Sequence, residues 1–287
     1  MREIDLGNWI KEGHGFTADS YRNKEDENLL LKLFYSDNGQ ELAEREFERA
    51  MSVEALGVPV PKTYELVSAD AKTGILFERI ANKRSFGRLC SDKPEKLPEY
   101  ARIFAEQSKL LHSTKCDTDK FPNEKDVARR LVQDANIREE IRGFLFELLE
   151  RTEDADTCLH GDLQTGNMVM GSSDGEEKTY FIDLGYFAYG NPVFDISALY
   201  LSTKGYQHEE SNQEILHMTA EQLEDFWKYY SISYIGSDDP QKLKEFEDRV
   251  APYTMIYMLL IIEAAAGFEP AIRLALAHIE ELYNKYK

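Results

Sequence analysis

The pattern of apolar and polar positions divides the chain into a short strand-rich part and a longer helical part. Two continuous apolar runs, ENLLLKLFY at 27–35 and TGILFERI at 73–80, are bounded by turn residues and predict buried strands. The segment between them, 38–57, is rich in strong helix formers and ends at Gly57, which predicts a helix with a glycine stop. Beyond it, Pro59 and Pro61 impose an extended path into a further strand. The first 80 residues therefore predict a compact sheet with one helix across it.

After Ile80 the apolar positions follow the period of amphipathic helices. Segment 97–115 places most of its apolar side chains on one face, and similar stretches follow at 124–151, 219–235, 240–265 and 269–286. One strand-turn-strand segment, 157–187, interrupts these helices. We therefore expect an α+β protein with an N-terminal domain over 1–80 and a larger, mainly helical domain over 81–287.

Composition agrees with a folded protein and limits its partners. The 287 residues are 42% hydrophobic and 30% charged, which is typical of globular proteins with room for two domains. The net charge of −19 would repel nucleic acid and anionic lipid, and no segregated basic patch offsets it. We expect neither nucleic acid nor membrane as a partner. Solubility is the favoured explanation of the acidity, ahead of a recognition role.

The amino terminus, the longest apolar stretch and the cysteines together favour a cytoplasmic protein. The amino terminus lacks the apolar core of a signal peptide. The longest apolar stretch, 253–268, carries Glu263 and is too short to cross a bilayer, so it predicts a buried helix. Cys90, Cys116 and Cys158 match no zinc or redox spacing and are expected to be reduced.

Polar side chains with chemical potential concentrate in the strand-turn-strand segment. LHGDLQTGN, 159–167, contains His160, Asp162 and Asn167, and TYFIDLG, 179–185, brings Asp183 to the end of an apolar strand. Carboxylate and amide oxygens suit Mg²⁺, which uses few protein ligands together with substrate phosphates. Asp162 is then available as a base for a substrate hydroxyl. For His160 a structural role is the favoured interpretation.

The motifs HGDLQTGN and FIDLG resemble the catalytic loop and metal-binding turn of the aminoglycoside phosphotransferase and choline kinase family, which are relatives of the protein kinases. In protein kinases the loop Asp takes the hydroxyl proton, while the loop Asn and a later Asp hold Mg²⁺. The resemblance implies that Asp162 is the base and that Asn167 and Asp183 are metal ligands. It implies ATP and Mg²⁺ as cofactors and a protein-kinase-like fold of two lobes.

The same resemblance suggests how the nucleotide is bound. Lys32 lies inside the apolar run LLLKLFY, where an unpaired ammonium would be costly to bury. The following helix offers Glu44, Glu46 and Glu48 as partners, and the distance of Glu46 from GVPVP matches the family's helix glutamate. We therefore expect Lys32 to pair with Glu46. A lysine that extends its ammonium from a strand edge into solvent is the alternative.

Two further segments are assigned to the nucleotide by resemblance. Gly13 and Gly15 stand where a loop over the phosphates belongs, with Ala18 at the position of a third glycine. LFERI resembles the strand that leads to the hinge, where backbone groups from Glu78 to Ile80 would contact adenine.

The segment after Asp183 distinguishes two classes of kinase. Asp195 matches a family aspartate that opens a helix and supports the catalytic loop through its backbone or through His160. Only eleven residues separate Asp183 from Asp195, and this segment lacks the Ala-Pro-Glu sequence of protein kinases. A small-molecule acceptor is therefore favoured. One departure is that Gln164 and Thr165 replace the His-Pro that is common in the family.

These observations predict an enzyme that transfers the γ-phosphoryl group of ATP to a hydroxyl of an aminoglycoside, amino-alcohol or sugar. Glu209, Glu210 and Asp225 could attract a cationic acceptor, although a solvated acidic surface is the favoured explanation for any one of them. Two alternatives stay open. One is a nucleotide-binding pseudokinase that acts through partner contacts, and the weaker one is an atypical protein kinase.

Overall fold

The computed structural model describes residues 1–14, 17–35, 38–173, 175–265 and 267–287. The chain forms two compact units, and each is described by itself. Unit 1 consists of Met1–Ser85 together with Asn167–Gly185, and unit 2 consists of Phe86–Gly166 together with Tyr186–Lys287.

A six-stranded sheet with one long helix forms most of unit 1. Its strands are β1 (Arg2–Glu3), β2 (Trp9–His14), β3 (Ala18–Asn23), β4 (Leu29–Phe34), β5 (Thr63–Ala69) and β6 (Lys72–Glu78). They are ordered β1-β5-β6-β4-β3-β2, and all neighbours are antiparallel except β1 and β5. Helix α1 (Gly39–Ala55) follows β4, and Gly57 beyond its end has a φ of 77°. The predicted order of strands, helix and strands is therefore observed.

Strand β4 explains why a lysine can lie within an apolar run. Leu31 and Leu33 point to one side, where they pack in a buried cluster with Trp9. Phe34 belongs to a different cluster that includes Ala43 of α1. Because side chains alternate along a strand, Lys32 lies on the same face as Phe34. The strand period thus directs the Lys32 side chain toward the face that α1 covers.

A second, three-stranded sheet joins two distant parts of the sequence in unit 1. Strands β7 (Ala81–Ser85), β9 (Met168–Ser173) and β10 (Glu176–Phe181) are ordered β10-β9-β7. Ile80, Val169 and Tyr180 are buried together beside it. The backbone N–H of Phe181 also donates to the carbonyl of Pro59 at 2.8 Å.

These contacts differ from the sequence-based division of the chain at residue 80. The compact unit continues to Ser85 and also contains 167–185, which the sequence had assigned to the C-terminal domain. The physical reason is that strand pairing between β7 and β9 is a long-range contact, which local patterns do not encode. Whether 1–80 and 81–287 are domains in the folding sense stays a prediction.

Unit 2 is mainly helical. Its helices are α2 (Phe86–Asp92), α3 (Leu97–Ser113), α4 (Glu124–Asp134), α5 (Glu139–Arg151), α6 (Val193–Tyr200), α7 (Glu210–Leu216), α8 (Ala220–Ile235), α9 (Pro240–Val250), α10 (Thr254–Ala264) and α11 (Glu269–Tyr286). Two short strands, β8 (Cys158–Leu159) and β11 (Ala188–Tyr189), pair antiparallel. The amphipathic stretches 124–151 and 240–265 each contain two helices, since the chain leaves the α-helix after Asp134 and again after Val250.

Aromatic side chains fill the centre of unit 2. The ring of Phe104 on α3 meets Phe86, Phe226 and Tyr230 at centroid distances of 5.3, 5.4 and 6.0 Å, each nearly edge to face. Such pairs add to the free energy of burial beyond their area. In the described part of the chain, no helix combines the length and the apolar composition that spanning a membrane requires.

Two glycines in helices of unit 2 should respond in opposite ways to the same substitution. A Cβ at Gly87 in α2 would overlap the backbone carbonyl of Leu216, whereas one at Gly143 in α5 would meet no atom within 4 Å. We expect Gly87→Ala to lower the free energy of unfolding by about 1–3 kcal/mol through steric strain. Gly143→Ala should raise it by up to about 1 kcal/mol through helix propensity. Urea unfolding monitored by circular dichroism measures both, and equal effects would contradict the packing of α2.

Candidate active site

Lys32 and Glu46 form an ion pair in unit 1. Lys32 Nζ lies 2.7 Å from Glu46 Oε1 and 2.8 Å from Oε2, and the two side chains are 23% and 25% exposed. Glu46 lies on the face of α1 that also carries the buried Ala43, Ala50 and Val53, a spacing of three and four residues. The helix period therefore selects Glu46 from the three glutamates, and the partner expected for Lys32 is present.

Helix α1 also approaches the turn that carries Asp183. Arg49, one turn beyond Glu46, lies with Nη1 3.5 Å from the carbonyl oxygen of Leu184. The side chain is half-buried, and burial lowers the pKa of its guanidinium from the usual value. One face of α1 thus contacts both Lys32 and the residue after Asp183.

Asn167 and Asp183 lie at one end of the β9–β10 hairpin. Met168 pairs with Phe181, and the N–H of Ile182 donates to the carbonyl of Asn167 at 2.9 Å. Asn167 is 7% exposed, while Asp183 is exposed and has a φ of 59°, in the left-handed region. Aspartate tolerates that region better than most residues do. The hairpin register therefore brings an amide and a carboxylate to the same turn region.

The side chains at this turn could supply only some of the ligands that a hard divalent cation needs. The described residues contain no group of three or more His, Cys, Asp or Glu side chains arranged to hold a metal. Mg²⁺ commonly uses one or two carboxylates and takes its other ligands from water and substrate phosphates. Asn167 and Asp183 are therefore compatible with a cation that a bound nucleotide completes.

Three of the four remaining nucleotide-binding predictions, Gly13, Glu78 and Ile80, fall on described residues of unit 1. Gly13 lies in β2 next to a register shift, and a Cβ there would overlap the hydroxyl of Ser20. Gly15 lies outside the described residues. Glu78 ends β6, and its N–H donates to the carbonyl of Lys62 at 2.8 Å. Ile80 is 7% exposed and packs in a buried cluster. Their contact with a nucleotide stays a prediction.

Asp195 holds the start of the predicted catalytic loop in unit 2. Its side chain is fully buried, and it accepts hydrogen bonds from the backbone N–H of His160 and of Gly161, both at 2.7 Å. His112 of α3 supplies a third contact, with Nε2 3.1 Å from Asp195 Oδ2. Tyr234 lies 2.8 Å from the other ring nitrogen of His112. Several polar groups therefore compensate the buried carboxylate, as burial of a charge requires.

The backbone conformation of the loop after Asp195's contacts requires a glycine at position 161. Gly161 has a φ of 79°, and a Cβ there would overlap the backbone carbonyl of Tyr186. His160 is fully buried, and its Nδ1 accepts a hydrogen bond of 3.3 Å from the N–H of Asp162. The structure thus places His160 and Asp195 in supporting positions around the backbone that leads to Asp162.

Asp162 itself is half-buried and contacts two polar side chains. The hydroxyl of Tyr257 on α10 donates a hydrogen bond to Asp162 Oδ1. Gln164 Nε2 lies 3.4 Å from each carboxylate oxygen of Asp162. Gln164, one of the two residues that depart from the family pattern, therefore faces the predicted base. Thr165 is fully buried, and its carbonyl accepts the N–H of Gly87 at 3.3 Å.

A small cavity adjoins this loop within unit 2. It is lined by Gly161, Tyr257, Phe194, Ser197, Ile256, Leu131, Leu260 and Glu124. Burial, together with the negative charge of Asp195, raises the pKa of Glu124 to about 8. Glu124 is therefore mostly protonated at neutral pH. Of the acidic residues proposed from the sequence, Glu209 lies just before α7, Glu210 begins α7 and Asp225 lies on α8.

Sequence reasoning missed four residues that the structure brings to these sites: Arg49, His112, Glu124 and Tyr257. Arg49 carries a local signal, because it follows Glu46 by three residues on one helix. Tyr257 carries a weaker one, as a hydroxyl within an apolar helix. His112 and Glu124 reach the loop only through the packing of α3 and α4, so no local pattern marks them.

Comparison with solved structures shows the fold. A thermostable mutant of aminoglycoside phosphotransferase APH(4)-Ia, in a ternary complex with AMP-PNP and hygromycin B, matches with a TM-score of 0.65 and 12% identity over 96% of this chain and 93% of the other. APH(2")-IIia in its GDP and kanamycin complex gives 0.57 and 17% over 99% and 95%. A choline/ethanolamine kinase family protein from Mesorhizobium loti gives 0.56 and 14% over 96% and 87%. The predicted α+β, kinase-like fold is confirmed.

Comparison of the sequence with protein families gives a match to the phosphotransferase enzyme family, APH, over residues 12–246. No curated protein matches the chain. The match spans most of the chain and includes the Lys32–Glu46 pair, the loop with Asp162 and the turn with Asp183. The chain therefore belongs to the phosphotransferase enzyme family, as its motifs predicted.

Proposed function

We propose that this protein transfers the γ-phosphoryl group of ATP, with Mg²⁺, to a hydroxyl group of a small molecule. The observation that carries the proposal is the Lys32–Glu46 ion pair in the same unit as Asn167 and Asp183. A lysine on a strand that is paired with a helix glutamate is the arrangement by which kinases orient the nucleotide phosphates. A family member that had lost the reaction would not need to keep this pair together with Asp162.

The residues of the chain supply positioning and one proton acceptor. Lys32, oriented by Glu46, would contact the phosphates, and Gly13 with Gly15 would lie over them. Asn167 and Asp183 would hold Mg²⁺, which neutralises charge on the phosphates when it is bound. Because the transition state for phosphoryl transfer needs little covalent assistance, such positioning accounts for most of the catalysis.

The transfer itself breaks one bond and forms one. The acceptor oxygen bonds to the γ-phosphorus, the bond from that phosphorus to the β–γ bridging oxygen breaks, and ADP leaves with the bonding electrons. Asp162 accepts the proton of the acceptor hydroxyl. Asp195 and His160 hold the backbone that leads into Asp162.

The acceptor is proposed by chemical class. Structural neighbours bind kanamycin and hygromycin B, and one belongs to the choline/ethanolamine kinase family. Kanamycin, hygromycin B, choline and ethanolamine all carry hydroxyl groups, and several of these compounds are cationic. The net charge of −19 favours a cationic acceptor, to which Glu209, Glu210 and Asp225 would contribute. A neutral sugar is accommodated by the same chemistry.

The protein is proposed to act in the cytoplasm, without nucleic acid or a membrane as partner. Cys90, Cys116 and Cys158 are all buried and free, which suits a reducing compartment.

A direct test of the reaction is a screen for acceptor-dependent release of ADP from MgATP. We expect one of kanamycin, gentamicin, hygromycin B, choline, ethanolamine or a hexose to raise the rate of ADP release, with phosphorylated acceptor detected by mass spectrometry. Omission of Mg²⁺ should abolish the release. Tight nucleotide binding with no transfer to any acceptor in a wider panel would favour a nucleotide-binding protein that acts through partner contacts.

Substitution of Asp162 tests the assigned base. We expect Asp162→Ala to lower kcat at least about 100-fold, since general base catalysis typically contributes that much. MgATP should still raise the unfolding temperature, because the proposed nucleotide contacts lie in unit 1. Asp134→Ala, at the exposed end of α4, is the matched control and should keep full activity. Turnover by Asp162→Ala equal to that of the control would remove Asp162 from this role.

Substitution of Glu46 tests the ion pair. We expect Glu46→Gln to raise KM for ATP or lower kcat, with kcat/KM for ATP reduced about tenfold or more, because Lys32 loses a charged partner at 2.7 Å. Glu48→Gln changes an exposed glutamate on the same helix and should leave both constants unchanged. Steady-state kinetics with varied ATP separates the two variants, and equal kinetics would contradict the role of the pair.

A further inference from the structure

Tyr257 is a polar residue within one of the most apolar helices of the chain. Helix α10 has the sequence TMIYMLLIIEA, and its neighbours Met255, Ile256, Met258 and Leu259 are all at most 3% exposed. Tyr257 is half-buried. A buried hydroxyl needs a hydrogen-bond partner, so a tyrosine in such a helix points to a specific polar contact.

That contact is the predicted base. The hydroxyl of Tyr257 donates a hydrogen bond to Oδ1 of Asp162, across 95 residues of sequence. Burial first, and then the charge of Asp162, raise the pKa of the Tyr257 phenol well above its usual value. The phenol therefore keeps its proton throughout the ordinary pH range and acts as a donor to Asp162.

Gln164 and His160 contact Asp162 from within its own loop. Gln164 Nε2 lies 3.4 Å from both oxygens, which is long for an N–H···O hydrogen bond. The N–H of Asp162 reaches His160 Nδ1, but this contact fixes the backbone and not the rotation of the carboxylate. Tyr257 contacts the carboxylate from a different element, the packed helix α10.

We propose that Tyr257 is a positioning residue for the phosphoryl transfer, which fixes the orientation of the Asp162 carboxylate and favours its ionised form. The inference rests on the proposed function, since it assigns Tyr257 a role through Asp162. A hydrogen bond donated to a carboxylate stabilises the charged state more than the neutral one. A general base must also present its oxygen at hydrogen-bonding distance from the acceptor hydroxyl. The rigid placement of Tyr257 on a packed helix serves this second requirement.

Other ionisable groups lie near Asp162 or Tyr257 on neighbouring elements. Tyr186 lies in the segment after Asp183, and its pKa is raised by burial and by the charges of Asp162 and Glu263. Glu124 of α4 lines the cavity beside Tyr257, and the His160 ring contacts the N–H of Asp162. Because these groups are unchanged in a Tyr257 variant, a matched comparison isolates the contribution of its hydroxyl.

Tyr257→Phe removes that hydroxyl and retains the ring. The matched control is Tyr253→Phe, in which a tyrosine just before α10 loses a hydrogen bond of 2.8 Å to Thr152, away from Asp162. The assays use MgATP with kanamycin as the probe acceptor and MgATP alone, in which water is the acceptor and ATP hydrolysis is measured. We expect kcat to fall about tenfold in Tyr257→Phe only. KM for ATP should not change.

The pH dependence separates positioning from a merely structural role. Loss of the donor makes the Asp162 carboxylate easier to protonate, so the acidic limb of kcat/KM should move up by about one pH unit in Tyr257→Phe. The pH profile of Tyr253→Phe should coincide with that of the unsubstituted protein. Titration of the nucleotide itself affects the unsubstituted protein and both variants equally, so it cannot produce a difference between their profiles. A tenfold loss without this shift, or a shift shared by the control, would overturn the proposal.

A measurement that does not need turnover completes the test. In a double-mutant cycle of urea unfolding, Tyr257→Phe and Asp162→Asn should be non-additive, whereas Tyr253→Phe and Asp162→Asn should be additive. Additivity for the first pair overturns the contact. If Asp162→Ala is inactive while Tyr257→Phe matches the control in rate and pH profile, only the role of Tyr257 fails. If Asp162→Ala is fully active, both the proposed base and the role of Tyr257 fail.

Discussion

The buried carboxylate of Asp195 makes the hydrogen bonds on which the geometry of the loop from His160 to Asp162 depends. It accepts the N–H groups of His160 and Gly161 and meets the ring of His112 from α3. A buried charge is stable only when its hydrogen-bonding capacity is satisfied, so the loop backbone, α3 and α6 are held to one arrangement. The backbone that enters Asp162 is consequently fixed before any substrate is present.

The rest of the loop follows from this anchor and from sterics. Gly161 accepts a left-handed conformation that a Cβ would block, and the buried His160 ring receives the N–H of Asp162. The carboxylate of Asp162 then meets Tyr257, which comes from a packed apolar helix. Preorganisation of this kind lowers the reorganisation that a reaction requires. In unit 1, the face of α1 performs a comparable task, since it joins Lys32 through Glu46 and approaches the carbonyl beyond Asp183 through Arg49.

Sequence patterns predicted β4, α1, β5, β6 and the β9–β10 hairpin of unit 1 and the helical type of unit 2, because short strands, glycine stops and amphipathic periods are local signals. They did not predict the strands β1, β2, β3 and β7. They placed Lys32 in a strand and Glu46 on the following helix, and the two side chains meet. They did not predict that 167–185 packs with the first 85 residues, since pairing of β7 with β9 joins positions far apart in sequence.

By itself, the sequence determined the family, the fold class and the candidate residues Asp162, Asn167 and Asp183. Each of these rests on residue types at short, fixed spacings, which the local chain preserves whatever surrounds it. Only the tertiary structure decided which side chains orient them. His112 and Tyr257 reach Asp195 and Asp162 across 83 and 95 residues, and such contacts depend on how helices pack. Helix packing is set by the sum of many weak apolar contacts, so no single stretch of sequence records it.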